Sequence, residues 1–395
     1  MRALFVSNMY PPHHLGGYEL VCRSAAAHVR DSGDAVGVLT TDFRHPEAAT
    51  LPEDPDVRRE LRWYWRDHRF PRLSPAERLR LERHNAAALD RCLAELRPDV
   101  VAWWAMGGMS LSLIARVREA GLPSVAFVHD DWLLYGPRVD AWMRMFSRRR
   151  RWRGAARRRT GIATTLDTSD VDRWVFVSDF VRRRAEGEGL AFGRVQIASS
   201  GIHPGFLEAA PERPWSWRLL YVGRIDERKG IDVAIDALSG LPDDARLTVV
   251  GKGDERHLAF LRAHAAGLGV TERVEFAPAA SREQLQALYA EHDAVVFPAR
   301  WEEPWGLVPL EAMARGRPVV ATARGGSAEY LRDGQNCLVV THGDPRGLSA
   351  ALRRLAGDEA LRAALRRGGQ ATAAQHTETR FNEAVLAALR APTAS

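Results

Sequence analysis

Short apolar runs alternate with helix-period stretches along the whole chain. The runs typical of buried strands lie at 3–7, 35–40, 100–105, 124–129, 174–178, 195–199, 219–223, 247–251, 274–276, 294–298, 318–322 and 337–340. The amphipathic stretches between them include 89–97, 232–238, 258–266 and 284–291. Strands separated in this way by helices predict parallel βαβ units whose sheets are covered on both faces.

The alternation continues through both halves of the chain, so the sequence predicts an α/β fold with two doubly wound, Rossmann-like domains. A length of 395 residues is enough for two separate cores. Residues 205–214 contain two prolines and no apolar period, which is typical of a linker. We therefore expect one domain over 1–205, a second over 206–375 and a last helix over 376–395, and we expect residues 42–73, which match neither period, to be an irregular excursion near the domain cleft.

Composition supports a soluble globular protein, with 46% hydrophobic and 27% charged residues. The three cysteines, Cys22, Cys92 and Cys337, are far apart in apolar patterns, which predicts buried thiols and neither a disulfide framework nor a metal site. The first residues enter a strand without the pattern of a signal peptide, and the longest apolar run is too interrupted to span a bilayer. We therefore expect a cytoplasmic protein that binds no metal.

A basic segment between Arg148 and Arg159 contains eight arginines around Trp152 and contributes to the formal net charge of +6. One interpretation is a solvated helix surface in an arginine-rich protein. The other is a patch that attracts an anionic acceptor or an anionic membrane lipid. Nucleic acid is not expected, because no recognition module accompanies the patch.

Two carboxylates, Glu303 and Glu311, flank a predicted turn and helix start in the stretch 300–316. Glu303 follows an apolar strand, and Glu311 falls inside a helix that begins near Leu307 and stops at Gly316. The amide groups at such a helix start favour an anionic ligand, and carboxylates accept hydrogen bonds from sugar or ribose hydroxyls. The pair therefore indicates a site for a sugar joined to a nucleotide by a diphosphate, although surface Glu residues in turns and helices are common.

Two cations, Arg224 and Lys229, follow another strand end in the sequence Gly223-Arg224-Ile225-Asp226-Glu227-Arg228-Lys229. Ligands of open α/β sheets collect at the carboxyl ends of strands. A guanidinium fork and an ammonium group at that place suit a diphosphate. The alternative is a solvated turn that pairs with Asp226 and Glu227.

Two further strand ends carry candidate residues. Gly16 and Gly17 open a helix after the first strand, where glycine lets backbone N–H groups approach a phosphate or a sugar. His129 follows another strand and can donate a hydrogen bond to a sugar hydroxyl, while Asp130 and Asp131 beside it have no accompanying metal ligands. The Rossmann pattern GxGxxG is absent from the first loop, which argues against a dinucleotide dehydrogenase.

Several of these motifs, in this order, resemble those of the retaining GT-B glycosyltransferases of family 4, also called glycosyl transferases group 1. The residues that carry the resemblance are Gly16-Gly17, Gly223-Arg224, Lys229-Gly230, Glu303 with Glu311, residues 312–322 and Gly325-Gly326-Ser327-Ala328-Glu329. The resemblance covers almost the whole chain and implies transfer of a sugar from a nucleotide-diphosphate sugar to a hydroxyl, with no cofactor and no metal. The last helix would cross back to the N-terminal domain.

The resemblance also implies roles for individual residues. Glu303 would hold the donor sugar and Glu311 the ribose, while Arg224 and Lys229 would stabilise the leaving diphosphate, which Gly16 and Gly17 would approach. The other implied contacts are His129 on the sugar ring, the backbone of Pro304, Trp305, Gly306 and Leu307 at the sugar–phosphate junction, and Lys252 and Ala277 near the base. Pro304, Trp305 and Cys337 depart from the family pattern, where Gly, Phe and Gly are frequent.

The acceptor stays open between a small natural product, a lipid-linked sugar and a polysaccharide. Eight of the 12 tryptophans precede the predicted linker, and some of them are candidates for an acceptor pocket because aromatic faces stack on sugars and apolar rings. Two other classes of protein share much of this pattern. One is a non-catalytic nucleotide-sugar-binding protein, and the other is a GT-B sugar phosphorylase or epimerase.

Overall fold

The chain folds into two units, each built on one parallel sheet. The structure is a computed structural model that describes residues 1–48, 51–65 and 69–391. Unit 1 consists of Met1–Ser199 together with the chain from Phe381 onwards, and unit 2 consists of Ser200–Arg380. The sequence placed these divisions at 205 and 375, and its linker segment packs within unit 2, where the buried Ala210 donates its N–H to the Arg315 carbonyl at 3.1 Å.

The elements of unit 1 alternate between strands and helices. Its strands are β1 (Arg2–Ser7), β2 (Ala35–Thr41), β3 (Val57–Leu61), β4 (Val100–Trp103), β5 (Ser124–Val128), β6 (Arg173–Phe176) and β7 (Arg194–Ile197). Its helices are α1 (Gly17–Asp31), α2 (Pro75–Leu96), α3 (Ser112–Glu119), α4 (Trp132–Val139), α5 (Ala141–Ser147), α6 (Arg153–Thr160) and α7 (Asp179–Gly187). In the described part of unit 1 the seven strands pair in the order β3-β2-β1-β4-β5-β6-β7.

Unit 2 repeats the arrangement. Its strands are β8 (Arg218–Val222), β9 (Arg246–Val250), β10 (Val274–Ala277), β11 (Ala294–Phe297), β12 (Val319–Ala321) and β13 (Leu338–Val339). Its helices are α8 (Ile231–Leu238), α9 (Glu255–Gly267), α10 (Arg282–Glu291), α11 (Val308–Ala314), α12 (Pro345–Gly357) and α13 (Glu359–Ala373). The strands pair in the order β10-β9-β8-β11-β12-β13, and α14 (Glu378–Arg390) begins at the end of unit 2 and belongs to unit 1 from Phe381.

The complete burial of the central strands explains why continuous apolar runs mark them in the sequence. Every residue of β4, β5 and β11 is buried, since helices cover both faces of a parallel sheet. Every ladder between the named strands is parallel, for example Leu4 beside Gly37 and Val101 in β1, β2 and β4. The predicted fold of two Rossmann-like, parallel-sheet domains is confirmed.

The segment 42–73 was predicted to be irregular, and this is wrong for Val57–Leu61, which pair with β2 as strand β3. The strand escaped the pattern because its sequence is Val-Arg-Arg-Glu-Leu and only Leu61 is fully buried. An edge strand is half exposed, so charged residues are tolerated there and no apolar run marks it. Residues 49–50 and 66–68 of that segment, and 392–395 of the predicted last helix, lie outside the described residues.

Helix α14 packs its apolar face into the core of unit 1. Phe381, Val385, Ala388 and Leu389 join the buried cluster formed by β1, β4 and β5, and the ring centroid of Phe381 lies 6.4 Å from that of Trp104. The cysteines Cys22, Cys92 and Cys337 are buried thiols, as predicted. Among the residues that the structure describes, no helix is long and apolar enough to cross a membrane.

We predict that Phe381→Ala destabilises unit 1 by about 3–5 kcal/mol, because it removes a buried aromatic side chain from the core. The exposed neighbour Glu383, changed to Ala, is the matched control and should shift stability by less than about 0.5 kcal/mol. Urea unfolding followed by fluorescence measures both variants. Equal stabilities for the two would show that α14 is not part of the unit 1 core.

Candidate functional site

The strand order of unit 2 reverses between β8 and β11, since β9 lies on one side of this pair and β12 on the other. In open α/β sheets, ligands bind outside the carboxyl ends of the strands at such a reversal. The loops that leave β8 and β11 there carry Arg224, Lys229 and Glu303. Unit 2 therefore brings three of the predicted site residues to the place where the topology favours a ligand.

Lys229 and Glu303 form an ion pair between the two loops. The Lys229 Nζ lies 2.5 Å from the Glu303 Oε1, and the two side chains are only 14% and 7% exposed. The ring of Trp301 lies 5.5 Å from the same ammonium group. Because removing one partner of a buried pair leaves an uncompensated charge, each of these side chains holds the other in place.

Close backbone contacts position this pair. The N–H of Arg300 donates to the Arg228 carbonyl at 2.8 Å, which joins the two loops directly. Gly230 has φ +67° and faces the Pro298 carbonyl oxygen, which would lie only 2.2 Å from a Cβ atom. The presence of glycine therefore allows the loop after β8 to lie directly against the loop after β11.

The backbone of Glu303 itself is held from β12. The N–H of Gly326 donates to the Glu303 carbonyl at 2.6 Å. Gly325, at φ +68°, approaches so closely that a Cβ would lie 2.5 Å from the same carbonyl oxygen. The Gly325-Gly326 motif thus supports Glu303 by main-chain contact, and the close approach and positive φ at position 325 require glycine there.

Arg224 is the exposed cation of the site. Its side chain is 58% exposed, and its Nη2 lies 3.8 Å from the Asp226 Oδ2. The Arg228 Nη2 lies closer to the same oxygen, at 3.0 Å, so the Asp226 carboxylate is shared between two arginines. Asp226 therefore pairs within the turn, as the solvated-turn interpretation predicted. Among the described residues, Glu227 forms no ion pair with Arg224 or Lys229.

Glu311 lies in the first turn of α11, and a buried tyrosine contacts its carboxylate. The Tyr289 hydroxyl donates to the Glu311 Oε2 at 2.8 Å. Burial raises the pKa of Glu311 above its usual value, and the hydrogen bond from Tyr289 opposes that rise. The structure therefore gives Glu311 a fixed orientation through one oxygen.

The turn before α11 is shaped by aromatic packing. Trp305 is buried, its Nε1 donates to the Ser200 carbonyl at 2.9 Å, and its ring lies 4.9 Å from that of Tyr330. Tyr330 in turn donates to the carbonyl of Gly306, which has φ +88°, and Leu307 is the N-terminal cap of α11. Trp305 therefore packs beneath the turn, and the backbone from Pro304 to Leu307 leads directly into the start of α11.

Lys252 and Ala277 lie further along the same sheet edge. Ala277 ends β10 and accepts a hydrogen bond from the Gly251 N–H at 3.2 Å, while the Lys252 carbonyl accepts from the Ile225 N–H at 2.9 Å. A Cβ on Gly251 would lie 1.8 Å from the Gly223 carbonyl oxygen, so the loops after β8 and β9 are in close contact. Ala277 thus lies at the end of β10, and Lys252, Arg224 and Glu303 lie in the loops that follow the next strands of the sheet, β9, β8 and β11.

Sequence reasoning missed two residues of this site, Tyr289 and Trp301. The guanidinium of Arg228 lies 4.8 Å from the Trp301 ring, and Tyr289 orients Glu311. Trp301 stands two residues before Glu303, and this proximity was the available signal. Tyr289 comes from α10 and gives no such signal, because only the packing of α10 against α11 brings it to the carboxylate.

In unit 1, Gly16 and Gly17 stand at the start of α1, as the sequence predicts. Gly16 is the N-cap residue, and its N–H donates to the Glu19 carboxylate at 3.1 Å. A Cβ on Gly17 would meet nothing within 4 Å, so the backbone there is open to an approaching group. Packing within the described residues would therefore allow a side chain at position 17.

His129 follows β5 in an aromatic setting. Its ring stacks on Tyr18 at 4.7 Å, and Phe381 meets it edge-on at 5.3 Å. Burial lowers the pKa of His129 to about 3, so the imidazole is neutral at physiological pH. Asp130 beside it accepts from the Tyr135 hydroxyl at 3.0 Å, and burial raises its pKa to about 6.

Two known protein families match this chain, one in each half. The family described as Glycosyltransferase Family 4 matches residues 15–206, and the family described as Glycosyl transferases group 1 matches residues 209–372. A D-inositol 3-phosphate glycosyltransferase of Salinispora tropica is 40% identical over 173 residues, which are 40% of this chain. The match covers 35% of that relative, so the chain spans only about a third of its length.

Longer similarities are weaker in sequence. A glycogen synthase of Mycobacterium tuberculosis is 28% identical over 388 residues, covering 91% of this chain and 87% of the relative. The crystal structure of Anabaena Alr3699/HepE in complex with UDP superposes with a TM-score of 0.71 at 21% identity, covering 98% of this chain and 99% of that one. At this identity, the likeness establishes the shared two-domain GT-B fold.

We predict that the buried, neutral His129 makes stability depend on pH. The pKa of His129 is about 3 in the folded protein and about 6.5 when unfolded, so below pH 6.5 the unfolded chain binds a proton that the folded chain does not. The free energy of unfolding should therefore fall as the pH is lowered, by about 2 kcal/mol at pH 5 for this group.

His129→Gln is the matched variant, since it keeps a polar side chain that does not titrate. The stability difference between wild type and variant, measured by urea unfolding at pH 7.5 and pH 5, should change by that amount in favour of the variant. An imidazole NMR signal of His129 that titrates near pH 6.5 in the folded protein would contradict the prediction.

Proposed function

We propose that the chain is a glycosyltransferase, because residues 15–206 match the family described as Glycosyltransferase Family 4 and residues 209–372 match the family described as Glycosyl transferases group 1. It moves a sugar from a nucleoside diphosphate sugar to a hydroxyl group and retains the anomeric configuration. The observation that carries this proposal is the Lys229–Glu303 pair at the strand-order reversal of unit 2. In a bond between a phosphate and a sugar, the cation suits the phosphate end and the neighbouring carboxylate suits the hydroxyls of the sugar end.

The bond that breaks joins the anomeric carbon to an oxygen of the diphosphate. Negative charge grows on that oxygen, and Lys229 and Arg224 stabilise it by charge, with no metal assigned to this step. Lys229 spends one of its three N–H donors on the Glu303 Oε1, which leaves donors for phosphate oxygens. Arg224, which is 58% exposed, is able to turn towards the ligand with its planar fork.

Glu303 holds the sugar. Its Oε1 is engaged by Lys229, and we assign its Oε2 to a hydroxyl of the donor sugar. Because one oxygen of the Glu303 carboxylate is held by Lys229 and the other is assigned to a sugar hydroxyl, we do not assign Glu303 as a nucleophile. The acceptor hydroxyl attacks the anomeric carbon on the face that the diphosphate leaves, and its proton passes to the departing phosphate oxygen.

The remainder of the donor follows the same sheet edge. We assign the ribose to Glu311, the sugar–phosphate junction to the N–H groups of Trp305, Gly306 and Leu307, and the base to the neighbourhood of Lys252 and Ala277. Pro304 shapes the turn without an N–H of its own. The roles of Gly16, Gly17 and His129 in unit 1 stay predictions from the family resemblance.

For the acceptor, seven of the eight tryptophans of unit 1 separate into two groups, and the eighth, Trp152, lies exposed among arginines. Five of them are core residues with at most 3% exposure, namely Trp103, Trp104, Trp132, Trp142 and Trp174. Trp63 and Trp65, in contrast, form a cluster with Phe43 on the loops after β2 and β3, with ring centroids 4.7 Å apart between the two tryptophans. Phe43 and Trp65 are only half-buried, so we propose that this cluster receives a ring of the acceptor.

We predict that Glu303→Gln lowers sugar transfer about 10²- to 10³-fold, because it removes a charge that positions both the donor sugar and Lys229. The donor is chosen first, as the nucleotide sugar among UDP, GDP, ADP and dTDP forms that most raises the melting temperature. At 100 times its dissociation constant, a donor stabilises by about 2.7 kcal/mol. The measurement is product formation with that donor, with anomeric configuration read by NMR.

Glu302→Gln is the matched control, since Glu302 is the exposed neighbour and its loss should leave turnover near wild type. Normal turnover in Glu303→Gln would refute the site assignment. Donor binding without any turnover would favour a nucleotide-sugar-binding protein, phosphate-dependent cleavage would favour a phosphorylase, and donor isomerisation without acceptor would favour an epimerase. A product with inverted anomeric configuration would refute the proposed retaining reaction.

We predict that Trp65→Ala lowers transfer to the acceptor about tenfold while donor binding stays unchanged, because a stacking surface for one ring is lost. Phe260→Ala in unit 2 removes an aromatic residue that is 52% exposed and serves as the control. The acceptor KM and the nucleotide-induced thermal shift are measured for both variants. A fall in donor binding with an unchanged acceptor KM would show that the aromatic cluster does not bind the acceptor.

A further inference from the structure

The chain between α5 and β6 contains a basic surface that no part of the proposed reaction uses. We name residues 148–159 the arginine segment; it consists of Arg148 and Arg149, a 3-10 helix, Arg150–Trp152, and most of α6. Neither of these helices has a buried residue. No Asp or Glu occurs between positions 141 and 160, although an ordinary solvated helix mixes both charge signs.

Two arginines attach the segment to unit 1. The Arg153 Nε donates to the Phe146 carbonyl at 3.1 Å, and the Arg157 Nη2 donates to the Glu119 Oε1 at 2.7 Å. These residues are four positions apart and so lie on one face of α6. That face is turned towards the body of unit 1, and the rest of the helix surface faces outwards.

The other six arginines are all exposed, and none forms an ion pair with a carboxylate within the described residues. They are Arg148, Arg149, Arg150, Arg151, Arg158 and Arg159. Like charges so close together repel one another, and among the described residues no carboxylate is paired with any of these six to offset this repulsion. The surface is therefore matched to a partner that brings negative charge.

Trp152 stands in the middle of these charges with 54% of its surface exposed. All twelve tryptophans lie in the described residues, and no other is as exposed. The Arg151 guanidinium lies 5.6 Å from the ring centroid, so charge and aromatic ring form one surface. Tryptophan between basic residues is the composition that suits the boundary between lipid headgroups and acyl chains.

We propose that the arginine segment docks unit 1 on an anionic lipid surface. The outward guanidinium groups bind headgroup phosphates, to which their planar forks are matched, and Trp152 enters the interface between headgroups and chains. Each basic side chain near such a surface strengthens binding roughly fivefold, so several acting together give stable peripheral attachment. The electrostatic attraction decreases over a Debye length of about 8 Å at physiological salt, so binding is sensitive to ionic strength.

The test is co-sedimentation of the whole protein with vesicles, without donor or acceptor, so that its outcome is independent of the proposed transferase activity. Vesicles of phosphatidylcholine alone are compared with vesicles that contain phosphatidylglycerol in place of about a third of it. We expect binding to the anionic vesicles at least tenfold stronger than to the neutral ones, and a steep decrease with added salt.

The fourfold variant Arg150→Gln, Arg151→Gln, Arg158→Gln and Arg159→Gln should lose at least tenfold in binding to the anionic vesicles. The charge-matched control removes four exposed arginines elsewhere, by Arg83→Gln, Arg256→Gln, Arg354→Gln and Arg367→Gln, and should change binding less than twofold. Trp152→Ala, with all arginines kept, should weaken the part of the binding that survives high salt. Unchanged melting temperatures show that each variant is folded.

Three results would overturn the proposal. The first is equal binding of the wild type to neutral and anionic vesicles, and the second is an equal loss in the charge-matched control, since net charge alone would then explain the attraction. The third is tighter binding to a DNA duplex than to anionic vesicles at the same salt concentration, which would make the segment a nucleic-acid surface.

Discussion

A parallel sheet has to bury both of its faces, and the arrangement of each unit follows from this constraint. Helices must return the chain to the same sheet edge, so all strands point in one direction and their carboxyl ends meet at one edge. In unit 2 this edge gathers Ala277, Lys252, Arg224 and Glu303 from four successive strands. Residues far apart in the chain become neighbours because the strands that precede them end at the same edge of the sheet.

The Lys229–Glu303 pair illustrates how such an edge becomes a site. Its side chains are largely removed from water, so the charges are held by each other and by the glycines that let three loops meet. An ion pair of this kind adds little to stability compared with apolar packing of the same volume. It provides two opposite charges in fixed places, and this is what a bond between a phosphate and a sugar requires.

The two units use aromatic residues differently. In unit 2, Trp305 and Tyr330 pack beneath the turn before α11 and determine where its amide groups lie. In unit 1 most tryptophans fill the core, while Trp65 stays half-buried at a strand end and Trp152 is exposed among arginines. Burial therefore separates the aromatic residues that build the fold from those that are available to a ligand or a surface.

By itself the sequence determined the fold class, the position of most strands and the residue types at each strand end. These features are local, because apolar runs record burial on both faces and glycines record tight turns. It missed β3, since an edge strand need not be apolar, and it gave no sign that Tyr289 contacts Glu311. Only the tertiary structure decided that Lys229 pairs with Glu303, that Trp305 is turned inwards and that six arginines face outwards. Those facts depend on which elements pack together, and a one-dimensional pattern contains no information about contacts between residues so far apart in the chain.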